Sequence, residues 1–316
     1  MDAPSLQWFY HPIALATLAL ILERFFSLPE HWHPLAIFRL FAKFLTDKVC
    51  HPEHGNTQQA IAGSLLLFLV LLICLTPVGI IQMSAELHQL SAVIWLWFAI
   101  RYKRTFDLTK LAIRALNKGQ KRAARAIVSR FVAFDCEQLS PLGLAQAIIE
   151  VRLRILFVGV LAPLLTWYLL GATAALGVRL IIECYYLWPT GSPRYRYFGR
   201  CAEVLYYIVE SLALLPLALV MMPFTWLFNH RSTVPIRQGR GMSLGAFVWL
   251  DVMSQMYHVR LGGPQKYQQQ RYARTRFEGV PATTKLQQKR DLTGIWLDIV
   301  VIVQVFLCLL LFIYRP

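Results

Sequence analysis

At 316 residues, with 57% hydrophobic and only 16% charged side chains, the chain is too apolar for an ordinary soluble domain and fits a polytopic membrane protein. Its net charge of +15 clusters in loops between apolar runs, where it reads as topogenic: such loops stay in the cytoplasm and meet anionic lipid. No nucleic-acid recognition motif accompanies the charge, so no nucleic-acid partner is expected, and six scattered cysteines without Cys-x-x-Cys or zinc spacing read as small buried hydrophobes.

Pro12 to Leu28 is the first apolar run. Glu23 and Arg24 near its end are costly at mid-bilayer but tolerable at the interface or inside a bundle. Pro29 and Pro34 then turn the chain, and Ala36 to Leu45 reads as an amphipathic surface helix with Arg39 and Lys43 on its wet side. Ile61 to Ile81 is the clearest transmembrane helix. Leu87 to Ile100 is shorter and rich in Trp and Phe. Arg101, Lys103 and Arg104 anchor its cytoplasmic edge.

Residues 101–153 form a basic cytoplasmic helical loop. Leu111, Ile113, Leu116, Ala124, Ile127, Val128 and Phe131 supply its apolar face, and Asn117–Gly119 breaks it into a helical pair. Such a pair is either a membrane-surface element or a basic wall over a site for an anionic ligand.

From Ile155 to Leu187 the chain is almost wholly apolar and reads as two short segments around Gly171. Glu150, Arg152 and Arg154 stand before it, and Arg179 and Glu183 near its end. Arg179 and Glu183 are one helical turn apart, so a structural pair explains both without a ligand. Pro216 and Pro223 allow a kinked or re-entrant path through 203–228. A basic loop over 229–293 precedes a last helix at Gly294 to Tyr314, which carries Asp298. The expectation is one integral-membrane domain over 1–316: an all-α, polytopic bundle with five or six membrane segments and amphipathic cytoplasmic helices.

Three motifs bear on chemistry. His31, Trp32 and His33, with His51 and His54, read as an interfacial turn, because no carboxylate or Cys completes a metal set; no metal site is expected. Leu261-Gly262-Gly263-Pro264 is either a backbone nest for an anion or a tight turn. Arg114, Arg125, Arg179, Arg194 and Arg196 are either phosphate or carboxylate binders or topogenic cations. The absence of a Walker A pattern and of Gly-x-Gly-x-x-Gly argues against a conventional nucleotide fold.

Several blocks stand in a telling order: His33-Pro34; Arg114-Ala115-Leu116, Arg125 and Asp135; Glu150, Gly159 and Ala162-Pro163-Leu164; Arg179; Arg194-Tyr195-Arg196-x-x-Gly199; and Leu261-Gly262-Gly263-Pro264-x-x-Tyr267. This order resembles the CobD/CbiB family of cobalamin-biosynthesis membrane proteins, whose superfamily also holds AmpE. The opening Glu23-Arg24-x-Phe26-x-Leu28-x-Glu30-His31-Trp32 is similar to AmpE. The CobD/CbiB resemblance implies a bacterial inner-membrane protein that joins an aminopropanol group to the corrinoid adenosylcobyric acid, with ATP and Mg²⁺. It implies Asp135 and Glu150 as catalytic residues. It implies His33, Arg114, Arg125, Arg179, Tyr195, Arg196, Gly262 and Gly263 as ligand-binding residues.

The departures from that family fall on acids. Where it has a second Glu, an Asn and an Asp in the hairpin, this chain has Arg154, Ile155 and Val158. Where it has Asp-Asp-x-x-Asn, this chain has Tyr206, Tyr207 and Glu210. Carboxylates that would hold Mg²⁺ on phosphates are thus largely missing. No cofactor is evident from the residues alone; ATP and Mg²⁺ follow only if the family chemistry survives. The resemblance to AmpE gives the alternative: a non-enzymatic signalling or accessory role in β-lactamase induction or cell-wall sensing, with membrane-protein partners.

Overall fold

Pro12 and Pro34 each open a helix at the first-turn position, where a missing N–H costs nothing. The histidine before each acts as the cap: Nδ1 of His11 accepts from the Ile13 N–H at 3.3 Å, and Nδ1 of His33 from the Leu35 N–H at 3.2 Å. In this computed structural model, residues 11–26, 28–29, 32–51, 53–84, 88–228, 242–257, 259–267 and 270–277 are described. They form α1 (Pro12–Phe25), α2 (Pro34–Val49), α3 (Asn56–Met83), α4 (His88–Ala99), α5 (Lys103–Asn117), α6 (Lys121–Val128), α7 (Pro141–Glu150), α8 (Phe157–Leu170), α9 (Ala172–Leu187), α10 (Arg200–Phe228) and α11 (Leu244–Tyr257). The fold is mostly helical, as expected. Of the basic loop expected over 229–293, residues 242–257, 259–267 and 270–277 are described and the remainder is not, while the helix expected at Gly294 to Tyr314, with Asp298, lies wholly outside the described residues.

Among the described residues, two helices are long and apolar enough to cross a membrane, Asn56–Met83 and Arg200–Pro223. Leu65, Phe68 and Leu72 on α3, and Ile208, Leu212 and Leu219 on α10, are exposed large hydrophobics. Such a continuous apolar surface is what lipid covers. α10 runs unbroken through Pro216 and Pro223 rather than re-entering. The other apolar helices are shorter: α1 and α8 have 14 residues, α4 has 12 and α9 has 16.

The central stretch turns at Gly171, whose φ of 85° suits glycine and strains other residues. α8 and α9 pack on each other inside the bundle, so residues of both are extensively buried. α7 and α8 are joined by a π-helical turn over Val151–Leu156. The helical pair breaks at Gly119, with φ of 73°, as the sequence predicts. Its expected apolar face is buried at Leu116, Ala124 and Val128, with Ile113 and Ile127 packed on the core; Thr105, Thr109 and Ala112 also face inward, and Leu111 is 50% exposed.

α2 also differs from the sequence reading. Leu35, Phe38, Ala42 and Thr46 are buried, Lys43 is exposed, and Ile37, Leu40 and Phe44 are exposed apolar residues. Arg39 is not on a wet side: its Nε donates to Oε2 of Glu183 at 2.6 Å. The all-α expectation misses one element, a two-stranded antiparallel ribbon of β1 (Gln265–Tyr267) and β2 (Gln270–Tyr272).

Candidate ligand-binding site

A cavity of about 750 Å³ opens where four sequence-distant segments meet. Glu150 and Arg154 come from the α7–α8 junction. Tyr185 and Tyr186 end α9, and Arg196, Arg200, Glu203 and Tyr207 come from the turn before α10 and its first turns. Phe131 to Phe134 close one side; Tyr267, Tyr272 and Arg274 come from the ribbon and the segment after it. The volume is that of a small-molecule site, with aromatic walls and a few charged groups.

Glu150 organises the ribbon side. Its Oε1 accepts the Gly262 N–H at 2.6 Å, and its Oε2 accepts from Nη2 of Arg274 at 2.8 Å. Gln146, one turn earlier on α7, donates to the Gly262 carbonyl. The Gly263 N–H donates to the Thr275 carbonyl at 2.8 Å. Both glycine N–H groups are therefore engaged by protein acceptors, and Leu261 to Gly263 runs as an antiparallel bridge against Thr275 to Phe277, with the Phe277 N–H donating to the Leu261 carbonyl at 2.9 Å, rather than as a tight turn or an open anion nest. Gly262 and Gly263 have φ of 73° and 99°, and a Cβ on Gly262 would lie 2.2 Å from the Thr275 carbonyl oxygen. Tyr267, three residues on, reaches the cavity wall, and burial holds its phenol above its ordinary pKa.

On the opposite wall Arg154 makes a two-pronged ion pair with Glu210, with Nη2 at 2.9 Å from Oε2 and Nε bonded to Oε1. Glu210 is fully buried and also accepts from the Tyr206 hydroxyl at 2.8 Å and the Ser243 hydroxyl at 2.6 Å. Arg154 and Glu210 thus form a neutral pair. Glu203 Oε1 accepts from the Thr190 hydroxyl at 2.8 Å and the Tyr207 hydroxyl at 3.0 Å. Tyr185 and Tyr206 stack at 3.9 Å.

Of the residues the sequence singles out, Glu150 and Arg196 line this cavity. Asp135 is exposed just beyond the wall formed by residues 131–134, and its N–H donates to the Lys266 carbonyl at 2.8 Å. Arg125 donates to the Leu139 carbonyl at 2.7 Å and so braces that wall. Arg114 is exposed on α5. Tyr195 is half-buried and packs on Phe198. Neither Arg114 nor Tyr195 is among the cavity-lining residues.

His33 and Arg179 belong to a second, separate cluster. Arg179 Nη2 donates to Oε1 of Glu183 at 2.6 Å, the expected i,i+4 pair, and Arg39 completes it from α2. Gly159 makes room: a Cβ there would sit 3.4 Å from an Arg179 nitrogen. His33 is buried; burial first, then the Arg101 and Arg179 charges, push its imidazole down to about 3. Glu23 is buried too, and accepts from the Tyr102 N–H at 3.3 Å and from that of Lys103. It satisfies the donors that start α5.

Residues missed from sequence left uneven signals. Arg154 showed one, a cation at the edge of an apolar run. Arg200 and Glu203 follow directly on the Arg-Tyr-Arg block. Arg274 sits in a Gln/Arg-rich tail whose composition marks no position.

Mg²⁺ with ATP, which the resemblance implies, can be tested on the donor set. Among the described residues, no group of three or more His, Cys, Asp or Glu side chains is placed to hold a metal ion. Glu150 accepts through both oxygens, Glu210 is neutralised by Arg154, and Glu203 accepts from two hydroxyls. These side chains do not fit a carboxylate-held divalent cation, which takes several oxygen ligands at once.

Fold and cavity together define a helical protein with two membrane-length helices among the described residues and an arginine- and tyrosine-lined cavity. A family model described as CobD/Cbib protein matches residues 16–294, and the chain belongs to that family. A curated relative, cobalamin biosynthesis protein CobD of Chromobacterium violaceum, is 26% identical over 189 residues. That match covers 58% of this chain and 60% of the relative, so the two are alike over about three-fifths of the relative's length. No solved structure matches the chain.

Proposed function

We propose that this protein serves cobalamin biosynthesis as a multi-pass inner-membrane protein whose cavity receives a corrinoid. One observation carries the reading. The Glu150 block, the Arg-Tyr-Arg block and the Leu-Gly-Gly-Pro-x-x-Tyr block, distant in sequence, each contribute a side chain to the same cavity: Glu150, Arg196 and Tyr267. Support also comes from family membership and from the printed name of the Chromobacterium violaceum relative. Because the cavity carboxylates are engaged internally, the expected activity is binding and presentation rather than metal-assisted ligation.

The test is a titration of the detergent-purified protein with adenosylcobyric acid, followed by corrinoid absorbance, with and without Mg-ATP and aminopropanol phosphate. Saturable binding without ATP turnover is expected. Turnover would restore the ligase reading. No binding would sink the corrinoid reading and leave the AmpE-like accessory role, with which the structural use of Glu23 and the engaged acids agree.

A further inference from the structure

Two guanidinium groups stand at the mouth of the cavity without a carboxylate of their own. Arg196 leaves the turn before α10, and Arg200 is the first residue of that helix; both line the cavity and both are exposed. The other two cavity arginines are engaged, Arg154 by Glu210 and Arg274 by Glu150. Among the described residues, no ion pair engages Arg196 or Arg200; Arg196 rests 5.7 Å from the Tyr197 ring centroid. The nearest acid along α10, Glu203, already accepts from Thr190 and Tyr207. On the ribbon wall, the Nε–H of Arg274 is buried with no acceptor among the described residues, and this side chain is only 5% exposed.

With Arg154 matched by Glu210 and Arg274 by Glu150, the remaining cavity charges are Arg196 and Arg200 against Glu203 alone, and the excess positive charge lies with the two exposed arginines. A guanidinium offers a planar fork of donors that fits a phosphate oxyanion two bonds at a time. The start of α10 adds the positive end of a long helix at the same rim. A metal would ordinarily perform this neutralisation, and the acids to hold one are engaged elsewhere.

We propose that Arg196 and Arg200, with Arg274 behind them, form a metal-independent site for a phosphate-type oxyanion. The inference rests on the reading above that this cavity is the binding site, and it concerns only how charge is neutralised there. The oxyanion belongs to a soluble ligand or to a lipid headgroup at the membrane surface, which present the same chemistry.

The experiment is calorimetric titration of the full-length protein in neutral detergent with inorganic pyrophosphate, in EDTA and in Mg²⁺. Saturable binding in EDTA is expected, about tenfold weaker in R196A and again in R200A, at an unchanged melting temperature. Both substitutions are at exposed positions, so folding is retained. No binding in EDTA, a strict requirement for Mg²⁺, or an unchanged affinity in the R196A/R200A double variant would overturn the proposal. The titration is then repeated in phosphatidylcholine nanodiscs with and without phosphatidylglycerol. Competition by the anionic lipid supports the site with a headgroup as its source; no competition supports it with a soluble ligand. If pyrophosphate binds and adenosylcobyric acid does not, the corrinoid reading fails while the oxyanion site stands; the reverse result separates them the other way.

Discussion

Glu150 and Gly262 are joined by a hydrogen bond of 2.6 Å across 112 positions of sequence. The carboxylate that closes α7 thereby fixes the bridged Gly262 segment that leads into the ribbon, and its second oxygen neutralises Arg274. Replacing Glu150 by Ala strands a partly buried N–H and the buried Arg274 guanidinium together. A loss on the order of 3–5 kcal/mol is expected, the usual cost of breaking a buried charge pair. Limited proteolysis should show early cleavage within 259–277. G262A should give the same pattern through backbone strain and its 2.2 Å approach to Thr275. Unchanged proteolysis of both variants would refute this tie.

Arg154 and Glu210 make a sharper test, because Glu210 is fully buried. E210Q leaves the guanidinium without a counter-charge and should lower stability by about 3–5 kcal/mol. The double variant R154M/E210L removes both charges and should recover much of that loss, since apolar replacements often match a buried pair. Thermal unfolding in detergent measures both. A double variant no better than E210Q would show that Tyr206 and Ser243, rather than the ion pair, account for the effect.

Two glycines on α3 form a matched control. A Cβ on Gly63 would lie 2.0 Å from the Phe198 carbonyl oxygen, while one on Gly79 meets nothing within 4 Å. G63A should push α3 off the 188–199 turn and reduce the yield of folded protein. G79A should be neutral or stabilising by up to about 1 kcal/mol, from helix propensity. Equal melting temperatures for the two would contradict the packing of α3 against Phe198.

His33 should make stability depend on pH. Its folded pKa of about 3 lies below the ordinary value of 6.5, so the unfolded chain binds the proton first as pH falls. The stabilisation is complete above pH 6.5 and declines toward pH 3. The melting temperature should drop between pH 7 and pH 5. H33N keeps a capping side chain but does not titrate, and should flatten that slope. A slope unchanged in H33N would assign it to another group.

Much of the architecture was legible because it rests on local backbone chemistry. Gly171 and Gly119 break helices where the sequence places the breaks, and the first helix begins at Pro12 as read; Pro34, read as a turn, instead opens α2. The Arg179–Glu183 pair follows from helical spacing. Side-chain direction was harder to read. Arg39 was assigned to water on the pattern of α2 alone, but Glu183 on another helix draws it inward. The cavity was legible only in pieces. Glu150, Arg196 and Tyr267 stand in recognisable blocks, whereas Arg154, Glu203 and Arg274 acquire meaning only through partners 56, 13 and 124 positions away. The ribbon is three residues per strand, too short for alternation to stand out.

The widened turn at Val151–Leu156 acts as an indexing step between two shafts. A π turn accommodates one residue more than an α turn, and each α-helical residue advances about 100°. Excising one residue there would regularise the ladder and swing α7 by roughly that angle against α8. Arg154 would stay meshed with Glu210 while Glu150 turned away from Gly262. The two walls of the cavity face each other because of a phase offset held in the main chain, which no exchange of side chains reproduces.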